Sequence, residues 1–179
     1  MKNLRTALDP AAFAEIQSRD IEKEILPCMP LMHLSAVYDT WSKAETPEAL
    51  KSMWDASSAP AISISIIAAT IGVTVQEQIR VSKEQGDPDR AALLTAVALE
   101  SLEQSFHFVL RLITDEAKDD ACELSPLMPV PQELLTASLT VLDAQKADIV
   151  IQDGALHPLY SAVRFCVWNP VKKKNARAK

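Results

Sequence analysis

The stretch Ala61-Ile62-Ser63-Ile64-Ser65-Ile66-Ile67-Ala68 decides the fold of this chain. Its isoleucines at 62, 64 and 66 alternate with small or apolar residues, and β-branched residues at a period of two are typical of a β-strand. One face of this strand is fully apolar. The hydroxyls at 63 and 65 leave room on the other face for a helix or a ligand. We therefore predict a buried strand here.

Two helices are predicted directly after this strand. The first is amphipathic and spans Val73–Gln85. The second is the strongest helix in the chain, because Asp87 can cap it and Pro88 suits the first helical position. Its apolar residues continue to Ile113, and Ala91–Leu99 is apolar nearly all round. A helix of this kind is buried on several sides, so we expect it to run through the centre of the domain.

The remaining elements complete an α+β pattern. The acidic segment Thr114–Glu123 predicts a loop. The proline stretch Ser125–Pro131 predicts a rigid extended segment, because proline fits neither a regular helix nor a central strand. A helix over Gln132–Gln145 and strands over Ala147–Gln152 and Ser161–Trp168 follow. We therefore predict a single α+β domain with a mostly antiparallel sheet, a long central helix and flanking helices.

The first third of the chain is predicted to lie outside this domain. Asp9-Pro10 begins a helix predicted over Ala11–Leu26, a strand is predicted around His33–Tyr38, and a short helix runs from Thr46 to about Trp54. We predict residues 1–60 as a helical N-terminal extension that packs on the domain. Residues 61–170 are predicted as the domain, and residues 171–179 as a basic tail that is expected to be disordered.

Charge and hydropathy disfavour two classes of partner. The 179 residues carry a net charge of −6, and the tail Lys172–Lys179 holds five of the positive charges, which leaves a body of about −11. An acidic body is a poor partner for nucleic acid. The longest apolar run, Ala59–Val75, has 17 residues and is interrupted by proline, glycine and hydroxyl residues. A membrane-spanning helix needs about 20 mostly apolar residues, so we expect no membrane span.

Residues for covalent or metal chemistry are sparse. The three cysteines have no C-x-x-C spacing, which argues against a disulfide scaffold or zinc ribbon and predicts a reducing cytoplasm. Met1–Pro10 lacks the apolar segment of a signal peptide. The three histidines have no metal-binding spacing, and no G-x-S-x-G motif is present. We expect no metal site and no catalytic residue in this chain.

Several places along the chain match one known family. Ala68–Val73 is similar to its strand exit A-T-[IL]-G, and Gly86-Asp87 likewise opens a long helix. Glu100 and Glu103 correspond to its S-E-x-V-E segment, and Ser125-Pro126 to its R-x-S-P-G-Y-G-D-x-P loop. Together with a closing strand pair, these places resemble the activation domain of vitamin B12-dependent methionine synthase and its stand-alone relatives. The resemblance covers about residues 61–168, and it is carried by the ordered set rather than by any single motif.

The resemblance implies a bent sheet and a pocket for S-adenosylmethionine between the long helix and the proline stretch. In the family, the methyl group of the sulfonium passes to reduced cobalamin on a separate domain. By resemblance, Glu100 and Glu103 would hold the ligand's ammonium or ribose, and Arg164 its carboxylate. Ser125 and Pro126 would contribute the loop. Another interpretation of the two glutamates is that one faces solvent while the other pairs with Arg164 or another cation.

Our first hypothesis is therefore a stand-alone, activation-domain-like accessory to a corrinoid methyltransferase system. It would bind S-adenosylmethionine or another small molecule and take part in reductive methylation of the corrinoid. The corrinoid-binding pattern D-x-H-x-x-G is missing from the sequence, so we expect cobalamin to be carried by a partner and not by this chain.

The alternative hypothesis starts from departures in the proline stretch. Glu123 stands where the family has arginine, Leu127-Met128 replaces Gly-Tyr, and Pro129 and Val130 replace the next Gly and Asp. The result is an apolar, stiff loop with few hydrogen-bond donors. The fold would then be retained without the ligand, in a non-catalytic interaction module. A deep cleft lined by Glu100 would favour the first hypothesis, and a pocket filled by Leu127-Met128 would favour the second.

Overall fold

Helices and antiparallel strands make up the structure, a computed structural model that describes residues 23, 25–56 and 60–171. This confirms the predicted α+β class. The strands are β1 (Ser35–Ser42), β2 (Ser63–Thr70), β3 (Cys122–Leu124), β4 (Met128–Pro129), β5 (Val150–Gln152), β6 (Ala155–His157) and β7 (Ser161–Pro170). The helices are α1 (Thr74–Glu84), α2 (Pro88–Asp119) and α3 (Leu135–Val141), with 3-10 helices at Leu26–Leu31, Glu48–Ala56, Gln132–Leu134 and Ala144–Ala147.

The main sheet has the strand order β1-β2-β7-β3, and β4 pairs with β7 on the same side as β3. All of these pairings are antiparallel. β2 is the strand predicted from the alternating isoleucines, although it begins at Ser63 and ends at Thr70. Residues 64–70 are all buried, because packed elements cover both faces of this strand. β5 and β6 form a separate hairpin.

The long helix α2 covers one face of the sheet, as the sequence predicts for a central helix. Its start is confirmed, since Pro88 is the first residue and the Asp87 side chain accepts a hydrogen bond from the backbone N–H of Arg90 at 3.0 Å. Buried residues of α2 pack on Ile67 and Ala69 of β2. Burial of this apolar face is what holds the helix against the sheet.

The end of α2 differs from the prediction. The helix continues to Asp119, so the predicted loop over Thr114–Glu123 is wrong for its first six residues. The apolar stripe extends through Ile113 and Ala117, which are 0% and 1% exposed. The acidic residues of this turn lie on the solvent side, where the carboxylate of Asp115 binds the ammonium of Lys118 three positions later.

The second face of the sheet is covered by α3 and the 3-10 helices, which pack on Ile64, Ile66 and Phe165. The single helix predicted over Gln132–Gln145 is instead three short helical pieces. The break lies at Asp143, whose φ of 51° is left-handed and cannot continue a right-handed helix. Aspartate tolerates this conformation better than most residues do.

The N-terminal region differs most from the prediction. Residues 35–42 form β1, which confirms the strand predicted around His33–Tyr38. Because β1 pairs with all eight residues of β2, however, this part belongs to the sheet and not to a helical extension. The predicted helix over Ala11–Leu26 lies almost entirely outside the described residues, as does the predicted disorder of residues 172–179. Within the part of the chain that the structure describes, no helix has the length and apolarity needed to cross a membrane.

Candidate functional site

Two of the predicted ligand residues, Glu103 of α2 and Arg164 of β7, meet where β7 packs against α2. The guanidinium of Arg164 donates from Nη1 to Glu103 Oε2 at 2.8 Å and from Nη2 to Glu103 Oε1. It also lies over the Phe106 ring, with its central carbon 4.5 Å from the ring centroid. The side chains of Arg164 and Glu103 are 27% and 30% exposed. Arg164 thus makes both a bidentate ion pair and a cation–π contact.

This arrangement stabilises the charged form of Glu103. The hydrogen bonds from Arg164 lower the pKa of Glu103, and they outweigh the burial that raises it. The charge of Arg164 and the nearby His107 lower this pKa further, whereas the charge of Glu100 raises it. Glu103 is therefore an ionised, already partnered carboxylate near neutral pH.

Glu100 lies one turn before Glu103 on α2 and has its own local partner. The side-chain amide of Gln104 donates to Glu100 Oε1 at 2.9 Å. Because the charge of Glu100 affects the pKa of Glu103, the two carboxylates share one electrostatic environment. The structure thus pairs Glu103 with Arg164, as the other interpretation of the two glutamates expects, and places Glu100 close enough to act on the charge of Glu103.

Ser125 belongs to the edge of the sheet. Its backbone N–H donates to the carbonyl of Val167 at 2.9 Å, and its Oγ accepts from the N–H of Val167 at 3.1 Å. The same hydroxyl donates to the carbonyl of Pro126 at 3.0 Å. The hydroxyl therefore takes the place of a backbone acceptor in the ladder beside β7, while Pro126 is exposed.

The proline stretch is an extended edge segment along β7. β3 and β4 pair with β7 before and after Ser125, and the N–H of Val130 donates to the carbonyl of Val163 at 3.3 Å. Leu127 packs against the core beneath α2, whereas Met128 packs against the core on the opposite face. The positions that correspond to the family's Gly-Tyr pair thus carry two packed apolar side chains.

Two cavities lie away from these residues. One, of about 490 Å³, lies between β1 and α2 and is lined mostly by apolar side chains, including Leu34, Tyr38, Phe108 and Leu112. The other, of about 440 Å³, lies between α3 and β5. Neither is lined by Glu100, Glu103, Ser125, Pro126 or Arg164.

Sequence reasoning missed the cavity beside β1. Its signal is a second apolar pair on α2, Phe108 and Leu112, four positions apart and off the buried stripe of Phe106, Val109 and Ile113. Such a pair lies on one side of a helix. Whether this apolar pair is buried or lines a cavity depends on where the sheet ends beside the helix. The position of β1 sets that limit.

The three cysteines are buried and form no disulfide, and the surroundings of two of them raise the thiol pKa. Burial raises the pKa of Cys166 to about 11, although a hydrogen bond with Ser65 lowers it. Burial and the charge of Asp120 raise the pKa of Cys122. Among residues 23, 25–56 and 60–171, no three His, Cys, Asp or Glu side chains are grouped to hold a metal ion.

No family model matches this chain, and no curated protein matches it significantly. The resemblance to the methionine synthase activation domain therefore stays a prediction from the residues quoted above.

Proposed function

We propose that this chain is a non-catalytic protein-interaction module that keeps an activation-domain-like fold without binding S-adenosylmethionine. The observation that carries this proposal is the Glu103–Arg164 ion pair. The resemblance expects Arg164 to bind the ligand's carboxylate and Glu103 to bind its ammonium. In the structure, two nitrogens of Arg164 bind the carboxylate of Glu103 instead.

Freeing Arg164 for a ligand would be costly. Glu103, whose side chain is about a third exposed, would lose the counter-charge of Arg164 beside Glu100, and the ligand's ammonium would have to replace it. An unpaired, partly buried carboxylate next to another carboxylate is unfavourable, and breaking a partly exposed ion pair costs about 1–3 kcal/mol, between the values for exposed and for buried pairs. A ligand would have to supply this energy before it gained any affinity.

The proline stretch supports the same conclusion. Leu127 and Met128 fill positions on opposite faces of the sheet, and the N–H of Val130 is used by β7. Pro129 and Pro131 have no N–H to donate. The residues present do not fit a site that must hydrogen-bond the polar groups of S-adenosylmethionine.

The partner class follows from the resemblance. The family's activation domain docks on a cobalamin-carrying domain, so we propose a corrinoid methyltransferase protein as the partner of this module. We also propose a cytoplasmic location, which the lack of a disulfide among the three cysteines supports.

Calorimetric titration of the purified full chain with S-adenosylmethionine, at neutral pH and modest salt, tests this proposal. We expect no binding heat up to millimolar ligand from protein shown to be folded by circular dichroism. Micromolar binding that is lost in Glu103→Gln, but kept in the surface control Glu48→Gln, would contradict the proposal.

A second candidate function is favoured by the proximity of Glu100, Glu103 and Arg164. In this function, the chain binds S-adenosylmethionine and positions it as methyl donor to a reduced corrinoid on a partner. Arg164 would then exchange Glu103 for the ligand's carboxylate. Saturable binding that Arg164→Ala abolishes, with the fold retained, would favour this candidate over the first.

A further inference from the structure

An apolar groove lies between the outermost strand β1 and the helix α2. It has a volume of about 490 Å³, and Ala36 and Tyr38 of β1 line it opposite Phe108 and Leu112 of α2. Phe108 is 56% exposed, Leu112 is 42% exposed and Leu34, at the start of the groove, is 54% exposed. Large apolar side chains grouped in one exposed groove are typical of an interaction site.

The groove is bordered by unpaired backbone groups of β1. In an antiparallel pair, alternate residues direct their N–H and C=O groups toward the partner strand. The N–H of Lys43 donates to the carbonyl of Ile62, which stands opposite it, at 3.3 Å. Odd-numbered residues of β1 therefore face β2, and residues 36, 38 and 40 direct their backbone groups away from it. The backbone groups of Ala36 and Tyr38 make no hydrogen bond to another described residue on that side.

The open part of the edge is short. The N–H of Thr40 is taken by the carboxylate of Asp39 at 2.8 Å. An added strand could therefore pair with β1 along Ala36–Tyr38 but not beyond Thr40 without displacing Asp39. Charged side chains at a strand edge limit unwanted pairing in this way.

The charge around the groove is uneven. At the Tyr38 end, the carboxylate of Glu116 accepts a hydrogen bond from the tyrosine hydroxyl at 3.2 Å. Asp39 directly follows Tyr38 in the sequence. Neither carboxylate forms an ion pair with a described residue. Burial raises the pKa of Tyr38, and the charges of Glu116 and Asp39 raise it further. Arg111 lies over the Phe108 ring, with the central carbon of its guanidinium 5.7 Å from the ring centroid.

We propose that this groove binds an extended segment of a partner protein, which adds to β1 as an antiparallel strand. Antiparallel pairing is the mode of every other strand in the main sheet, and strand addition beside a helix is a known form of peptide recognition. A lysine or arginine of the segment lies near Glu116. Apolar side chains two residues apart then pack on Phe108 and Leu112. This proposal rests on the proposed function as an interaction module.

Selection from a random-peptide phage library on the immobilised full chain tests this site. We expect enriched peptides with a basic residue followed by alternating apolar residues. A synthetic copy of the enriched peptide is then titrated by fluorescence anisotropy. Ala36→Pro removes an outward N–H without touching the β2 ladder, and Phe108→Ala removes the floor. Each should weaken binding about tenfold or more.

Two further variants make the test specific. Glu116→Gln should weaken binding a few-fold and reduce its salt dependence. Leu159→Ala, which removes a side chain 63% exposed outside the groove, should leave the affinity unchanged.

Three outcomes would overturn the proposal: no enriched peptide family, affinity unchanged in folded Ala36→Pro and Phe108→Ala, or a dimer in sedimentation that these two variants dissolve. The last would assign the groove to a second copy of the chain. None of these outcomes depends on S-adenosylmethionine, so failure of the groove and failure of the proposed function are distinguishable.

Discussion

The two edges of the main sheet are built in opposite ways. At one edge, β3 and β4 pair with β7. The segment that contains these two strands includes Pro126, Pro129 and Pro131, and its apolar side chains pack into the cores on both faces of the sheet. At the other edge, β1 leaves the backbone groups of Ala36 and Tyr38 open beside an apolar groove. The edge that the resemblance assigns to a ligand is thus packed, a closed edge, whereas the opposite, open edge keeps backbone groups available for pairing.

This contrast has a physical cause. Proline cannot donate to a further strand, so a proline-rich edge resists pairing with other chains. β1 contains no proline, and its only edge protection in the described structure is the Asp39 carboxylate on Thr40. β1 can therefore accept a further strand along Ala36–Tyr38, whereas the proline stretch cannot.

The largest effect is expected where the chain enters β1. Gly72 has a φ of +80°, and a Cβ there would lie 2.9 Å from the Cβ of His33, which leads into β1. Gly72→Ala should lower the free energy of unfolding by about 3 kcal/mol, because overpacking adds to left-handed strain. Gly86→Ala is the control, since Gly86 has a φ of +74° with no atom within 4 Å, and should cost about 1 kcal/mol. Urea unfolding measures both, and equal losses would contradict the role of the His33 contact.

The second effect concerns the ion pair near the closed edge. Arg164→Ala should lower the free energy of unfolding by about 2 kcal/mol, since it leaves Glu103 unpaired and uncovers Phe106. Lys51→Ala breaks an exposed pair with Glu48 and should change it by less than about 0.5 kcal/mol. Chemical denaturation of both variants compares them, and an Arg164→Ala loss as small as that of Lys51→Ala would show that the pair is not formed.

A smaller effect compares one hydrogen bond at each edge. Ser125→Ala removes the acceptor for the N–H of Val167 and should cost about 1 kcal/mol. Asp39→Ala releases the N–H of Thr40 at the open edge, where water can replace the carboxylate, and should cost less than about 0.5 kcal/mol. Thermal unfolding of the two variants measures this difference. A larger loss for Asp39→Ala would reverse the assignment of closed and open edges.

The smallest effect is a pH dependence. The folded-state pKa of Glu103 lies below its ordinary value of 4.5. Its contribution to stability is therefore fully present above pH 4.5 and is lost as the pH falls through the lower folded-state pKa. Glu103→Gln should flatten the acid limb of the stability–pH profile measured by urea unfolding. An acid limb identical to that of the unchanged protein would contradict this prediction.

Local patterns were enough to predict part of the fold. The alternating isoleucines predicted β2, and Asp87-Pro88 predicted the start of α2, because both signals depend on neighbouring residues. The end of α2 was missed because the acidic composition of Thr114–Glu123 obscured the apolar stripe through Ala117. The membership of β1 in the sheet was missed because strand pairing joins residues far apart in the chain.

The sequence could predict which residues belong to the candidate site, but not which of them contact one another. Glu103 and Arg164 were named from the sequence, but their mutual pairing joins positions 61 residues apart and appears only in the folded chain. The groove needed the same information, since Phe108 and Leu112 become a binding surface only where the sheet ends at β1.

The most direct test of whether the Glu103–Arg164 pair excludes S-adenosylmethionine is a residue-resolved titration. Amide and side-chain nitrogen–proton NMR spectra of the isotope-labelled full chain would be recorded with increasing S-adenosylmethionine. We predict no saturable shifts at Glu103, Phe106 or Arg164 up to millimolar ligand, because the guanidinium stays bound to Glu103. Saturable shifts at these three residues would contradict the account and return the chain to the methyl-donor hypothesis.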